Sequence, residues 1–169
     1  MRNFFLLSLL FLLPACGFSP VYGNFSGNTY SQQDLLSYVS IDNIPDREGQ
    51  YLRNVLIDRF YRHNRPANPQ YILSFSPIQE SVRDLDITES SDSTRGQLRL
   101  DTQVVLSDSI TGEILLKRDL SAITSYNILR SEFANRVSEQ NTRRNALDDL
   151  AEKIERHITL YFERQHSAP

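Results

Sequence analysis

Between Leu98 and Leu106 the chain alternates cleanly: Leu98, Leu100, Thr102, Val104 and Leu106 fall on one side, and Gln97, Arg99, Asp101 and Gln103 on the other. Successive side chains of a strand point to opposite faces, so this pattern predicts a strand with one buried and one solvated face. Such a sheet needs a second layer over its apolar side. The remaining segments have to supply its neighbours and its cover.

Tyr71, Leu73 and Phe75 alternate with polar residues and predict another strand, with Pro77 marking an edge or a bulge. Tyr38 to Ile44, with Val39 and Ile41 on one face, predicts a short first strand. Asp108 to Gly112 carries turn chemistry, and Glu113 to Thr124 reads as the hairpin partner of the alternating strand. Ile114, Leu116, Leu120 and Ala122 share a face that Arg118 interrupts. Either a bulge turns that charge outward, or it is an inward functional basic group. Glu80 to Thr94 is polar, serine-rich and without clear period, and reads as a mobile loop.

Two segments have helical period. After Pro45, with Asp46 as the expected N-cap, Leu52, Val55, Leu56 and Phe60 form one apolar stripe, and Asn64 and Pro66 are the expected stop. Ser131 is the expected cap of a longer helix reaching about Arg164, with Leu147, Leu150, Ala151, Ile154, Ile158, Tyr161 and Phe162 in its stripe. Asp149 with Lys153 and Glu152 with Arg156 fit a solvated opposite face. Ser138 to Asn145 is almost devoid of apolar residues, so either the helix begins later or its first turns project beyond the sheet. The expected architecture is α+β, a two-layer sandwich with a four-stranded mixed sheet and two helices packed on one face. Its order is strand, helix, three strands, helix.

The N-terminus sets the compartment. Arg2 precedes an apolar run, Phe4 to Leu13, of signal-peptide length and too short to span a bilayer. Leu13-Pro14-Ala15-Cys16 follows and resembles a bacterial lipobox, apart from Pro14. Cleavage before Cys16, the chain's one cysteine, would leave it as an acylated N-terminus. The plainer alternatives are an ordinary cleaved signal with a stray cysteine or a buried N-terminal helix. A lone cysteine in an exported chain has no intrachain disulfide partner, and acylation accounts for it. Each buried acyl methylene contributes about 0.8 kcal/mol, and stable anchoring takes more than one chain. Gly17 stands where an inner-membrane retention signal has aspartate, which points to the outer membrane. The expected divisions are a signal peptide, 1–15; a lipidated N-terminus and tether, 16–37; one domain, 38–165; and a disordered tail, 166–169.

Removing 15 of 169 residues leaves 154, one domain that would bury roughly 70% of its unfolded surface. Without Arg2 there are 17 basic against 21 acidic residues, a mature net charge of −4. That balance argues against nucleic acid as a partner. His63, His157 and His166 are scattered with no zinc-ligand spacing, and no phosphate loop or nucleophile elbow is present. Asp148 and Asp149 are adjacent on a helix and diverge. No enzyme activity, cofactor or metal is expected.

Several segments together resemble the lipopolysaccharide-assembly lipoprotein family LptE in its alphaproteobacterial form. They are Cys16-Gly17-Phe18-Ser19-Pro20-Val21-Tyr22-Gly23, Asp46-Arg47-Glu48-Gly49-Gln50-Tyr51-Leu52-Arg53-Asn54, Thr94-Arg95, and Ser125-Tyr126-Asn127 followed by Ser131-Glu132-Phe133-Ala134. They keep the family's order over nearly the whole mature chain; Arg118 stands where a small residue is more usual. The resemblance implies a protein anchored by its lipid to the cell outer membrane, facing the periplasm. It would plug and help assemble the LptD β-barrel and help insert lipopolysaccharide into the outer leaflet. Helices on a sheet are implied too, in agreement with the periodicities.

A surface handling an anionic glycolipid should offer Lys or Arg, whose hydrogen bonds to phosphate are charge-assisted. Arg95, Arg99, Lys117 and Arg118 lie on or near the hairpin strands, and Arg130 and Arg136 around the start of the last helix. These are the candidate lipopolysaccharide-binding residues. Each could equally be a solvated charge balanced by Asp101, Asp119 or Glu132. An auxiliary lipoprotein of another envelope transport system is the rival reading.

Overall fold

The computed structural model describes residues 35–61, 65–87 and 93–167. The signal peptide, Cys16, the tether up to residue 34 and His63 lie outside the described residues. The elements are β1 (Val39–Ile41), α1 (Asp46–Phe60), β2 (Tyr71–Phe75), β3 (Gln79–Ile87), β4 (Ser93–Asp108), β5 (Ile114–Asn127) and α2 (Glu132–Ser167).

The α+β class with two helices on a mixed sheet is as expected. The sheet, however, has five strands, not four. β4 carries the alternating run and is its spine. Over Val104 to Asp108 it pairs with β2, over Ser93 to Asp101 with β3 on that same side, and along most of its other side with β5. β1 adds to β2 in parallel, the one parallel pair described. A parallel pair needs a crossover, and α1 provides it. β2 therefore lies inside the sheet between β1 and β4, and Pro77 falls in the break between β2 and β3, where no ladder donor is required.

The additional strand is the segment read as a mobile loop. Gln79 to Leu85 are exposed on both faces, so β3 has no buried side to imprint a period of two. It holds its place by the backbone ladder to β4, from Gln79 opposite Asp101 to Ile87 opposite Ser93. Residues 88–92 of that expected loop lie outside the described residues.

The core lies between sheet and helices. Leu98, Leu100, Val104 and Leu106 of β4 meet Leu52, Leu56 and Phe60 of α1 and Leu150, Ile154, Ile158 and Phe162 of α2, all at most 3% exposed. Both helical stripes face the core as expected, though Val55 and Tyr161 are only partly buried. Asp46 is not the N-cap of α1. Pro45 takes that position without a side-chain cap, and Asp46 opens the helix at φ 67°, a left-handed conformation that Asp tolerates better than most residues. α1 ends at Phe60, earlier than expected, and Tyr61 ties that end to β1 by donating its hydroxyl to the Val39 carbonyl at 2.6 Å.

α2 begins at Glu132, where Ser131 Oγ accepts from the Ala134 amide at 3.4 Å. Its first turns do project: Phe133 and Val137 are exposed, and Thr142 is the first buried residue. The bulge expected at Arg118 falls elsewhere. The β4–β5 register shifts between Leu106 and Ser107, while Arg118 stays in register opposite Val104. Its charge reaches water because β5 is an edge strand. Arg118 Nη1 donates to the Lys117 carbonyl at 3.0 Å. Lys153 Nζ similarly takes the Ser121 carbonyl at 2.9 Å, so cations occupy two carbonyls of β5 that face away from β4.

Candidate functional site

The face of the sheet turned away from the helices is polar and hydrogen-bonded. Gln79, Asp101 and Ser121 lie in one row across β3, β4 and β5, and Arg99 and Asp119 in the rows on either side. Arg99 Nε donates to both oxygens of Asp101, at 3.0 and 2.8 Å. Gln103 Nε2 donates to Asp119 at 2.7 Å. Where β2 gives way to β3, Ser76 steps across to β4 and accepts from the Gln103 amide at 2.8 Å. That break floors an open depression of about 340 Å³, lined by Ser76, Arg99, Asp101, Gln103 and Asp119 among others. Such a surface can exchange hydrogen bonds with a polar wall. It offers no metal-ligand cluster among the described residues.

The six candidate cations do not converge. Arg95 lies near the start of β4 opposite Asn127, with Arg130 just beyond β5 and Arg136 on the first turns of α2, paired to Glu132 at 3.7 Å. Lys117 lies opposite Val105 and Arg118 opposite Val104, near the other end of β4. Ten residues of strand separate those levels, roughly 33 Å at 3.3 Å per residue. Arg99 sits between the two groups and is matched by Asp101. Arg118 also faces the helix side, whereas Arg95, Arg99 and Lys117 share the polar side.

A tighter charged cluster went unseen in the sequence. Arg143 of α2 grips Glu80 of β3 with two 2.6 Å bonds and reaches Glu139 at 2.7 Å. Its side chain is only 18% exposed. The Glu80 hydrogen bond is the main reason its guanidinium is held even more firmly protonated than usual. Glu139 and Arg143 have helical i,i+4 spacing and could have been found; Glu80 could not while its segment read as loop. Beside them the Tyr126 ring lies over Gly96, where a Cβ would come within 2.5 Å of the ring. Burial raises the Tyr126 pKa, reinforced by the negative charges of Glu139 and Asp84. Gly96 is thus needed for close approach.

With this architecture established, the family match is decisive. The model of the family described as LptE, lipopolysaccharide-assembly, matches residues 36–160. The chain belongs to that family. It is accordingly a lipoprotein of lipopolysaccharide assembly, in a family that works without catalysis. No curated protein sequence matches the chain.

Solved structures agree on the fold. A protein of Caulobacter crescentus described as a lipoprotein is similar with a TM-score of 0.64 and 20% identity, covering 81% of this chain and 98% of its own. The rare lipoprotein B of Shewanella oneidensis follows at 0.59 and 11% identity, with 76% and 96% coverage. A minor lipoprotein of Acinetobacter baumannii is similar at 0.53 and 21% identity, with 72% and 88% coverage.

Proposed function

We propose that this LptE-family chain is anchored to the inner leaflet of the outer membrane through an acylated Cys16. There it plugs and supports assembly of an LptD-type β-barrel and assists insertion of lipopolysaccharide into the outer leaflet. The observation that carries the reading is the family match over residues 36–160. The hydrogen-bonded outer face of the sheet supports it, because a plug has to satisfy the polar interior of its barrel.

The separated cations refine the ligand reading. Arg95, Arg130 and Arg136 surround the projecting end of α2 and can meet anionic groups of a glycolipid there. Lys117 and Arg118 are too distant to join the same contact and would serve a different one. The test is affinity purification of the full chain from its native envelope. Recovery of a large outer-membrane barrel, together with lipopolysaccharide accumulating inside the envelope on depletion, is the expected result. Recovery with an inner-membrane transporter and no barrel would instead favour an auxiliary transport lipoprotein.

A further inference from the structure

The turn between β4 and β5 is rigidly built. The Asp108 carboxylate accepts from the amides of Ile110 and Thr111 at 2.9 and 2.8 Å, and from the Thr111 hydroxyl at 3.1 Å. Gly112, at φ 72°, closes the turn by donating its amide to the Asp108 carbonyl at 3.0 Å. Ser109 pins the other side, donating its hydroxyl to the Pro69 carbonyl at 2.7 Å and its amide to Gln70 at 2.9 Å. The Asp108 carboxylate and the Ser109 and Thr111 hydroxyls are thus engaged with the protein itself, Glu113 is exposed on the β5 side of the turn, and the tip itself is apolar. Ile110 is 92% exposed, more than any other large hydrophobic side chain described, and Ile114 beside it is 60% exposed.

Val39, Tyr71 and Asp108 lie in one row across β1, β2 and β4, so the chain enters the domain at the same end as the turn. The C-terminal part of α2 closes that end too, with the Phe162 ring 5.0 Å from Tyr71 and Leu160 exposed. From Cys16 to Tyr38 is 22 residues of sequence, 38 minus 16, so an anchor on Cys16 holds this end within at most about 75 Å of the bilayer. An isoleucine held out on a rigid turn at the anchored end matches a lipid interface, where apolar side chains add to an acyl anchor.

We propose that the β4–β5 turn is a membrane-contacting tip whose Ile110 enters the lipid interface. Ile114 and Leu160 border the contact. This rests on the reading of Cys16 as an acyl anchor. The tip lies well away from the projecting start of α2, where Phe133 and Val137 are exposed but no membrane tether enters.

The chain has no tryptophan, so a single one makes a clean probe. Ile110→Trp and Phe133→Trp are placed separately in the full chain, matured in cells and reconstituted into phosphatidylethanolamine–phosphatidylglycerol vesicles carrying brominated acyl chains. Quenched, blue-shifted emission from Ile110→Trp and unquenched emission from Phe133→Trp is the expected result. Unquenched Ile110→Trp in protein that still floats with the vesicles overturns the tip and leaves the anchor standing. Protein that does not float overturns the anchor and the tip with it. If the tryptophan is shielded from bromine only in complex with a barrel, its occupant is protein and the tip is overturned.

Discussion

The two ends of the domain are held by different physics. At the end where the chain enters, β1, β2 and the close of α2 bury Val39, Leu73, Ile158 and Phe162, none more than 1% exposed. At the other end β3 has both faces in water and the start of α2 leaves Phe133 78% exposed. What joins β3 to the rest is its ladder to β4 and the Glu80–Arg143–Glu139 cluster. Apolar burial is non-directional and is not screened by salt, whereas a charge-assisted contact demands its partners and opens locally when one is lost. The first end is therefore the harder to open, and the second the easier.

The contrast breaks first in the core. Leu150→Ala removes a fully buried side chain from α2 and should cost about 2–5 kcal/mol, lowering the urea midpoint for the whole domain. A variant whose loss was confined to α2, with β4 keeping its hydrogen-exchange protection, would show that the packed end is not one cooperative unit.

Arg143→Met sharpens it. Removing the guanidinium leaves Glu80 and Glu139 facing each other without a cation and should cost about 1.5–3 kcal/mol. The loss should concentrate in β3, whose amides exchange faster while those of β2 and the end of α2 change little. Equal acceleration at both ends would mean that the two regions open together.

The same contrast decides what the sequence disclosed. Elements with one buried face wrote themselves as a period: β4 from Leu98 to Leu106, and the stripes Leu52 to Phe60 and Leu147 to Phe162. β3 was missed because it buries neither face, and the Glu80–Arg143 contact was lost with it. Arg118 looked like a bulge because an inward charge on a central strand would be costly; on the edge strand β5 it stays in register and reaches water. The candidate cations were legible as residue types, but their separation into two groups depends on register, which no local pattern carries. The sheet's parallel pair likewise required knowing that α1 crosses over between β1 and β2.

A smaller effect belongs to the edge between the two ends. Lys153→Met frees the Ser121 carbonyl and ends the ion pair with Asp149, which is 2.8 Å long and partly exposed. The cost to the monomer should be about 0.2–1 kcal/mol. Its larger consequence is an unguarded edge on β5, so light scattering on mild heating should rise sooner than in the unmodified protein, and an unchanged onset would show that the guard is dispensable.

The smallest effect is a pH dependence confined to the helix-side face of β5 and α2. His157 has its pKa lowered from the ordinary 6.5, chiefly by burial and further by the positive charges of Arg118, Arg156 and Arg164. Below 6.5 the unfolded chain takes up a proton that the folded imidazole resists, so the contribution of neutral His157 is present above that pH and is lost as pH falls through its folded value. Between pH 7.5 and 5.5 the melting temperature of the protein should therefore fall more than that of His157→Gln, the carboxylates being common to both. Arg118→Ala removes one of the three cations and should bring the two slopes closer. Parallel slopes in the unmodified protein and His157→Gln would mean that His157 is solvated and its pKa is not lowered, whereas an Arg118→Ala slope equal to that of the unmodified protein would mean that Arg118 points its charge into water and away from α2.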